Sequence, residues 1–387
     1  MDFALSEELQ MLRDTAKGFM DEKIAPFADE WDENHYFPYK EAIKPMGELG
    51  FFGTVITEEY GGNEMGWLAG IILTEEIARV SSSLRVQMNM QTFGCAFTIL
   101  RYGSDEVKKK YIPKLVSGEL VGCFAITEPN AGSDVMSLKS TAVDKGDYWL
   151  INGTKTWISN ASAADAIIYY AYTDKEARGK GLSAFVLEPK NFNGVTTTDL
   201  DKMGTRSTPT GEIYCEETRI PKENILGKPG DGAKIVFGSL NQSRLSAAAG
   251  GIGLAQACLD SVTSYCQERE QFGKPIGQFQ MNQDIIAQVA SEIEAARLIV
   301  YKAAWQKDQG QLGNTLEVAH AKYLAGEIAV KASNMAMRIM GAYGYSTEYP
   351  IARYYRDTPP YFMVEGSTNI CKWIIALDQL GIRKANR

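Results

Sequence analysis

The sequence predicts an α+β protein built in three consecutive parts: helical, then sheet, then helical. Three observations carry that prediction. Helix-period apolar positions run through residues 1–120. Short strand-like runs, with turn residues and no helical pattern between them, fill residues 121–230. Four long helix-period segments occupy residues 231–387.

Within the first part, Ser6 opens a helix whose Leu9, Leu12, Ala16 and Phe19 share one face, with Glu7 and Glu8 at its positive end. Residues 39–50 and 67–80 repeat the pattern, and Gly61-Gly62 breaks it between them. Residues 105–115 form another short amphipathic helix. In the second part the strand signals are residues 123–127, 148–159, 166–173, 182–188 and 211–215, with turn signals at Asn152-Gly153 and Asn193-Gly194. Strands in succession suggest an antiparallel sandwich or barrel. In the third part, residues 233–269, 278–308, 314–341 and 367–380 suggest an antiparallel four-helix bundle. Gly251-Ile252-Gly253 follows three alanines rather than a strand and lacks the third glycine of a dinucleotide loop. It reads as small residues that let two helices approach.

Composition excludes several classes. The 387 residues carry a net charge of −8 and a pI near 5.1, the wrong sign for a general nucleic-acid binder. The six cysteines are scattered without a C-x-x-C pair and read as reduced thiols of a cytoplasm. His35 and His320 are the only histidines, so neither a His-rich metal site nor a Ser-His-Asp triad is expected, and no metal is. The acidic N-terminus has no basic or apolar region of a secretory signal and is too acidic for a transit peptide. No apolar run approaches the length of a membrane span, so no membrane insertion is expected.

Three stretches carry chemistry. In residues 361–372, Glu365 stands beside Gly366 with apolar residues before it. A carboxylate among apolar neighbours is costly to ionise, which suits a general base for an unactivated C–H bond. The same stretch reads equally as a loop capping the next helix. In Thr127-Glu128-Pro129-Asn130-Ala131-Gly132-Ser133-Asp134, backbone N–H groups and hydroxyls suit a phosphate or a polar ring edge, or make an ordinary tight turn. In Lys155-Thr156-Trp157-Ile158-Ser159-Asn160, Trp157 can stack on a flat ring while Ser159 offers a hydrogen bond, or it can be a core tryptophan.

Taken together these stretches resemble the flavin signature of the acyl-CoA dehydrogenases. Residues 126–134 and 155–160 match it, as do Arg269-Glu270-Gln271-Phe272-Gly273-Lys274-Pro275-Ile276 and Glu365-Gly366-Ser367, in order and over nearly the whole chain. The resemblance implies the three-part fold of that family: an N-terminal helical domain, a middle antiparallel β domain and a C-terminal four-helix bundle. It implies an FAD-dependent, homotetrameric enzyme that oxidises an acyl-CoA at Cα–Cβ and passes electrons to electron-transfer flavoprotein. By the resemblance, Glu365 takes the α-proton, and its backbone N–H and a ribityl hydroxyl hold the thioester oxygen. Phe124, Ile126, Thr127 and Ser133 line the flavin and its pyrophosphate, and Trp157 and Ser159 cover the ring. Arg269, Gln271, Phe272 and residues 338–342, including Arg338 and Gly341, reach the FAD of a neighbouring subunit. Arg338 stands where the family often has Gln, and Ala342-Tyr343 replaces Gly-Asn. Ser367 and Asn369 contact FAD beside the base. Phe237, Asn241 and Arg244 hold the CoA moiety, and Ser133, Val364 and Gly366 complete the substrate site.

Residues 83–91, with Arg85, are the stretch that discriminates the acyl group. An arginine in this helical stretch resembles the glutaryl-CoA dehydrogenases, in which it binds the distal carboxylate of the substrate; otherwise it is a surface arginine. Members that also decarboxylate carry a Tyr before the catalytic Glu, a Ser after the arginine and a Glu one helical stretch earlier. This chain has Val364, Val86 and Ala78. It therefore resembles the non-decarboxylating branch of anaerobic bacteria, which stops at glutaconyl-CoA. A dehydrogenase for another short, branched or cyclic acyl-CoA, or a decarboxylating one, keeps the same fold and base.

Overall fold

The computed structural model describes residues 4–386; Met1, Asp2 and Phe3 of the acidic N-terminus, and Arg387, lie outside it. Helix α1 (Glu7–Phe19) begins where Ser6 Oγ accepts from Leu9 N–H. The expected helix at residues 39–50 is interrupted. A π turn, Tyr39–Ile43, leads into Lys44–Glu48, and Gly50 ends it at φ +76°. Helix α2 (Gly66–Val80) has Trp67 and Leu68 N–H groups bound by the Asp308 carboxylate at 2.6 and 3.0 Å. That bond fastens its positive end to the distant bundle. Helix α3 (Ser82–Met88), capped by Ser81, runs on as the buried π-helical stretch Asn89–Ala96. Helix α4 (Asp105–Val116) closes the first part.

The middle part is one sheet of eight strands: β1 (Gly122–Ala125), β2 (Thr141–Asp144), β3 (Tyr148–Ser159), β4 (Ala166–Tyr172), β5 (Leu182–Leu187), β6 (Val195–Asp199), β7 (Thr210–Pro221) and β8 (Ile225–Leu226). Their order is β6-β7-β3-β2-β4-β5-β8, with β1 beside β4. Pairing is antiparallel except that β1 runs parallel to β4, as does β2 where Thr141 meets Tyr172. Both faces of β4 are buried. Ile168 and Tyr170 join the large core shared with the helices, while Ile167 and Tyr169 join a second core with Trp149, Phe185 and Ile213. The two-residue period of a strand makes that division. Asn193-Gly194 is a turn, with Gly194 at φ +81°. Asn152-Gly153 is not. It lies inside β3 as a bulge, with Asn152 Oδ1 accepting from Glu217 N–H of β7 at 2.8 Å.

The last part packs α5 (Gly232–Glu268), α6 (Gln280–Asp308), α7 (Thr315–Met340) and α8 (Thr368–Gln379). Contrary to the expectation from sequence, α5 is by length and composition apolar enough to cross a membrane. However, 78% of its most apolar stretch is buried within the protein, so it is the core helix. Its glycines make that possible. A Cβ on Gly251 would meet the Ala325 carbonyl of α7 at 2.8 Å, and one on Gly253 would meet the Glu75 carbonyl of α2 at 2.2 Å.

Gly253→Ala should therefore destabilise the protein. Overpacking costs about 1–3 kcal/mol, against the ~1 kcal/mol that alanine gains in helix propensity. Gly18→Ala, in open space on α1, should instead raise the unfolding midpoint. Denaturant titration of the two variants checks the contrast.

Candidate active site

The helical turn Pro360–Met363 ends where Val364 N–H reaches the Pro360 carbonyl at 2.9 Å. Glu365 and Gly366 then take φ angles of +59° and +88°. Left-handed backbone costs a non-glycine residue roughly 1–2 kcal/mol, so Glu365 has to be held. Arg244 of α5 holds it, its Nε donating to the Glu365 carbonyl at 2.9 Å. Gly366 must be glycine twice over, since a Cβ there would also lie 2.8 Å from Arg244 Nη2. Ser367 Oγ then accepts from Ile370 N–H and caps α8, so the capping reading of this stretch is also true. The Glu365 N–H meets no acceptor among the described residues.

The surroundings of the Glu365 carboxylate differ from those expected. Tyr361 is buried, but Met363 and Val364 point to the surface, so the apolar residues before Glu365 do not enclose it. Two donors do. Asn89 Nδ2 donates to Oε1 at 2.9 Å, and Ser243 Oγ donates to Oε2. Burial pushes the Arg244 guanidinium below its ordinary pKa, with Cys371 and Glu365 pulling against it.

Arg85 is 2% exposed, in α3. Its Cζ stands 5.1 Å from the centroid of the Tyr361 ring. Its Nε is buried without a hydrogen-bond partner, and it forms no ion pair among the described residues. Gly250 makes room, because a Cβ there would lie 2.8 Å from both Arg85 Cδ and Tyr361 Cε1. Tyr361 donates its hydroxyl hydrogen to Ser82 Oγ at 2.9 Å, and its carbonyl accepts from Lys322 Nζ at 2.6 Å. Burial pushes the Lys322 pKa down to about 8. Three buried cations thus stand around a segment that offers one carboxylate.

A second group of residues forms on the sheet. Thr156 N–H donates to the Thr127 carbonyl at 2.9 Å, and Lys155 Nζ to the Ile126 carbonyl at 3.1 Å and Glu128 Oε1 at 2.8 Å. These bonds stitch residues 126–134 to 155–160. Burial pushes the Lys155 pKa down to about 8. For Glu128 burial acts upward, but Lys155, Ser140 and the Lys139 N–H outweigh it and hold the carboxyl below its usual range. At the irregularity between Lys155 and Ile158, Trp157 takes φ +59° and leaves its side chain 61% exposed. Phe124, Thr127 and Ser159 are half-buried beside buried Ile126, and Ser133 is exposed on the following loop. An exposed indole on strained backbone, fixed to a rigid strand, suits a flat ring stacked on it. Gln87 of α3 and Asn160 exchange amide hydrogen bonds of 2.8 and 2.9 Å, which ties this group to the helix of Arg85.

Other expected site residues lie elsewhere or are already engaged. Phe237 is exposed on α5. Asn241 is buried, its Nδ2 donating to the Leu312 carbonyl at 3.1 Å. Val86 packs into the second core beside Met90. Arg269, at the end of α5, has its Cζ 5.4 Å from the Tyr343 ring centroid. Near it in sequence, Gln271 is exposed and Phe272 is 93% exposed. Arg338, Gly341 and Asn369 are exposed as well. No hydrogen bond or ring contact among the described residues joins the Arg269 cluster to Glu365 or Trp157. A charged cavity lined by Arg13, Glu75, Glu76, Arg79 and Arg297 shares no residue with either group; within it Arg79 pairs with Glu76 and Arg297 with Glu75. Sequence reasoning missed Asn89, Ser243, Lys322 and Tyr361. The usable signal was a polar residue inside a continuous buried run, as with Asn89, or next to a matched one, as with Ser243 before Arg244.

Comparison with known proteins gives matches along the chain. The acyl-CoA dehydrogenase N-terminal, middle and C-terminal domain families match residues 6–119, 123–218 and 230–379. A glutaryl-CoA dehydrogenase of Desulfococcus multivorans is 68% identical over 389 residues, covering 100% of both chains. The solved glutaryl-CoA complex of a glutaryl-coenzyme A dehydrogenase superposes with a TM-score of 0.99 at 68% identity, over 100% of this chain and 98% of that one. A chain in the structure of the electron transferring flavoprotein of Acidaminococcus fermentans is 38% identical, with a TM-score of 0.96, over 98% of this chain and 100% of that one.

Lys322 makes the stability of the site segment depend on pH. Its folded pKa, about 8, lies below the ordinary 10.5. Between those values the unfolded chain binds more protons, so the contribution is full above 10.5 and is lost as pH falls to about 8. Across that window the parent should gain up to ~3 kcal/mol over Lys322→Met. Urea midpoints of both proteins at the two ends of the window measure it.

Proposed function

The chain belongs to the acyl-CoA dehydrogenase family, and on that premise we propose that it oxidises glutaryl-CoA to glutaconyl-CoA without decarboxylating it. The family is FAD-dependent, and FAD is the cofactor of this enzyme. The reading of the acyl group rests on one observation: Arg85 is buried, carries a positive charge and has no carboxylate of its own among the described residues. A buried guanidinium without a counter-ion is costly. A substrate with a distal carboxylate supplies that counter-ion through charge-assisted hydrogen bonds worth about 1.5–3 kcal/mol. The identity to a glutaryl-CoA dehydrogenase supports the same choice.

Trp157 is proposed to stack on the flavin, with Phe124, Ile126, Thr127, Ser133 and Ser159 as further contacts; its exposed indole is the observation that favours this. FAD, when bound, supplies the acceptor for the hydride that leaves the substrate β-carbon. The protein's own part is proton transfer and orientation. Glu365 takes the α-proton. Its N–H, free of an acceptor among the described residues, is a donor for the thioester oxygen as negative charge develops there. Arg244 keeps the base loop in the conformation that aims both groups. Arg85, Lys322 and Arg244 make the surroundings positive, which favours the enolate.

Decarboxylation requires the γ-carboxylate to release its electrons into the conjugated thioester. A guanidinium paired with that carboxylate alone opposes the release, the more so in a dry pocket. Val364, Val86 and Ala78 offer no polar group to compete for it; Val86 packs into the second core, and Ala78 is buried on α2 beside Gly253. We further propose electron-transfer flavoprotein as the electron acceptor, supported by the family likeness and the 38% identical chain described above. A homotetramer belongs to the same reading. The exposed Phe272, Arg338 and Gly341 are residues that a neighbouring subunit's FAD would cover. Six unpaired, buried cysteines suit a bacterial cytoplasm.

Arg85→Gln should lower kcat/KM for glutaryl-CoA by roughly 10–100-fold, the value of one charged hydrogen-bonding partner, and change butyryl-CoA turnover little. Equal losses on the two substrates would give Arg85 a structural role. Chromatography of the CoA esters formed from glutaryl-CoA with an artificial acceptor tests the second claim. Glutaconyl-CoA is expected, and crotonyl-CoA as main product would overturn non-decarboxylation while leaving the dehydrogenase intact.

A further inference from the structure

Both oxygens of the Glu365 carboxylate are held from different parts of the protein. Oε1 accepts from Asn89 Nδ2 at 2.9 Å, at the start of the buried π-helical stretch of the N-terminal part. Oε2 accepts from Ser243 Oγ, on the core helix of the bundle. Neither donor is free to wander. Asn89 and Ser243 are fully buried, and a π-helical turn inside a helix is characteristic of a functional position. Ser243 precedes Arg244, which holds the carbonyl of the same glutamate at 2.9 Å. Serine and arginine therefore grip one residue from one turn of α5, the first by its side chain and the second by its backbone.

A carboxylate needs such a grip for geometric reasons. Its side chain has three rotatable bonds, and proton abstraction requires a lone pair aimed along the C–H bond to within a fraction of an ångström. Each carboxylate oxygen has two lone pairs. One bond to each oxygen fixes the plane of the group and still leaves one lone pair on each for the incoming proton. Without these donors lone pairs would still be free, but the plane of the group would not be fixed.

We propose that Asn89 and Ser243 are the positioning residues of the general base, fixing the plane of the Glu365 carboxylate so that a lone pair meets the α-proton of the thioester. This rests on the reading of Glu365 as the base, but not on the identity of the acyl group. The alternative is that the two bonds park the carboxylate away from the substrate and have to break before reaction.

The test separates proton abstraction from oxidation. Acetyl-CoA has α-protons and no β-carbon to oxidise, so exchange of its methyl protons into D2O on the holoenzyme, followed by proton NMR, reads the base alone. Ser243→Ala should slow that exchange by at least about tenfold, within the ~100-fold range of a slightly misplaced catalytic group. It should slow flavin reduction by glutaryl-CoA comparably at saturating substrate. The dissociation constant for acetyl-CoA should stay within about twofold, since the hydroxyl does no binding work in this account. Ser243→Thr, which keeps the hydroxyl, should recover most of the exchange rate. Glu365→Gln is the reference. If it still exchanges protons at the parent rate, the base assignment falls and this proposal with it. If it is silent while Ser243→Ala exchanges at the parent rate or faster, the base stands and its positioning by Ser243 is overturned. A loss in Ser243→Ala that appears as weakened binding rather than slowed exchange, or that threonine does not rescue, also overturns it.

Discussion

The site depends on the hydrogen bond from Arg244 Nε to the Glu365 carbonyl. Two successive residues with positive φ make a conformation that a free loop would leave. A buried guanidinium on the longest helix keeps it. That helix is in turn fixed by close approach, Gly251 against α7 and Gly253 against α2. Ser243, Arg244 and Gly250 therefore move as one body with the core of the protein. The geometry around the carboxylate inherits the rigidity of helix packing rather than that of a surface loop.

Charge explains what the interior is prepared to receive. Other buried or half-buried cations have partners within the protein. Arg297 has Glu75, Arg353 has Asp29 and Lys155 has Glu128. Lys202, Lys307 and Lys322 lie against backbone carbonyls. Among the described residues Arg85 has Tyr361 and no carboxylate. In a low-dielectric interior such an imbalance attracts an anion and rejects a cation. In the proposed reaction the same positive surroundings favour a negatively charged enolate, so the arginine proposed to select the substrate also serves the chemistry.

The two residue groups are kept in register by polar bonds between parts of the fold. Gln87 and Asn160 exchange amides between α3 and the end of β3. Thr208 Oγ1 donates to the Ser83 carbonyl at 2.8 Å, next to the turn that carries Arg85. These contacts are buried and paired, so breaking one partner leaves the other unsatisfied. The surface that carries Trp157 and the helix that carries Arg85 thus shift together.

Local pattern was enough for the overall architecture. The three-part order of helices, sheet and bundle follows from periods of 3.6 and 2 in the apolar residues, and the close-packed role of Gly251 and Gly253 from their small neighbours. The likeness to a family of enzymes, and the acidic residue beside a glycine near the C-terminus, were legible for the same reason: they are contiguous in the chain. Long-range partners were not. Asn89 and Glu365 are 276 residues apart, and Ser243 and Glu365 are 122 apart; no periodicity encodes such pairs. The sequence suggested apolar walls around Glu365, but the backbone turns Met363 and Val364 outward and brings in two donors from other elements. It suggested a turn at Asn152-Gly153, but the side chain of Asn152 found Glu217 across the sheet and made a bulge. It could name Arg85 but not say whether a carboxylate elsewhere in the chain neutralises it. Composition, period and motif order were determined locally. Which polar group meets which was decided only when distant segments were brought within hydrogen-bonding range, because a hydrogen bond depends on ångström-scale geometry that a one-dimensional pattern does not contain.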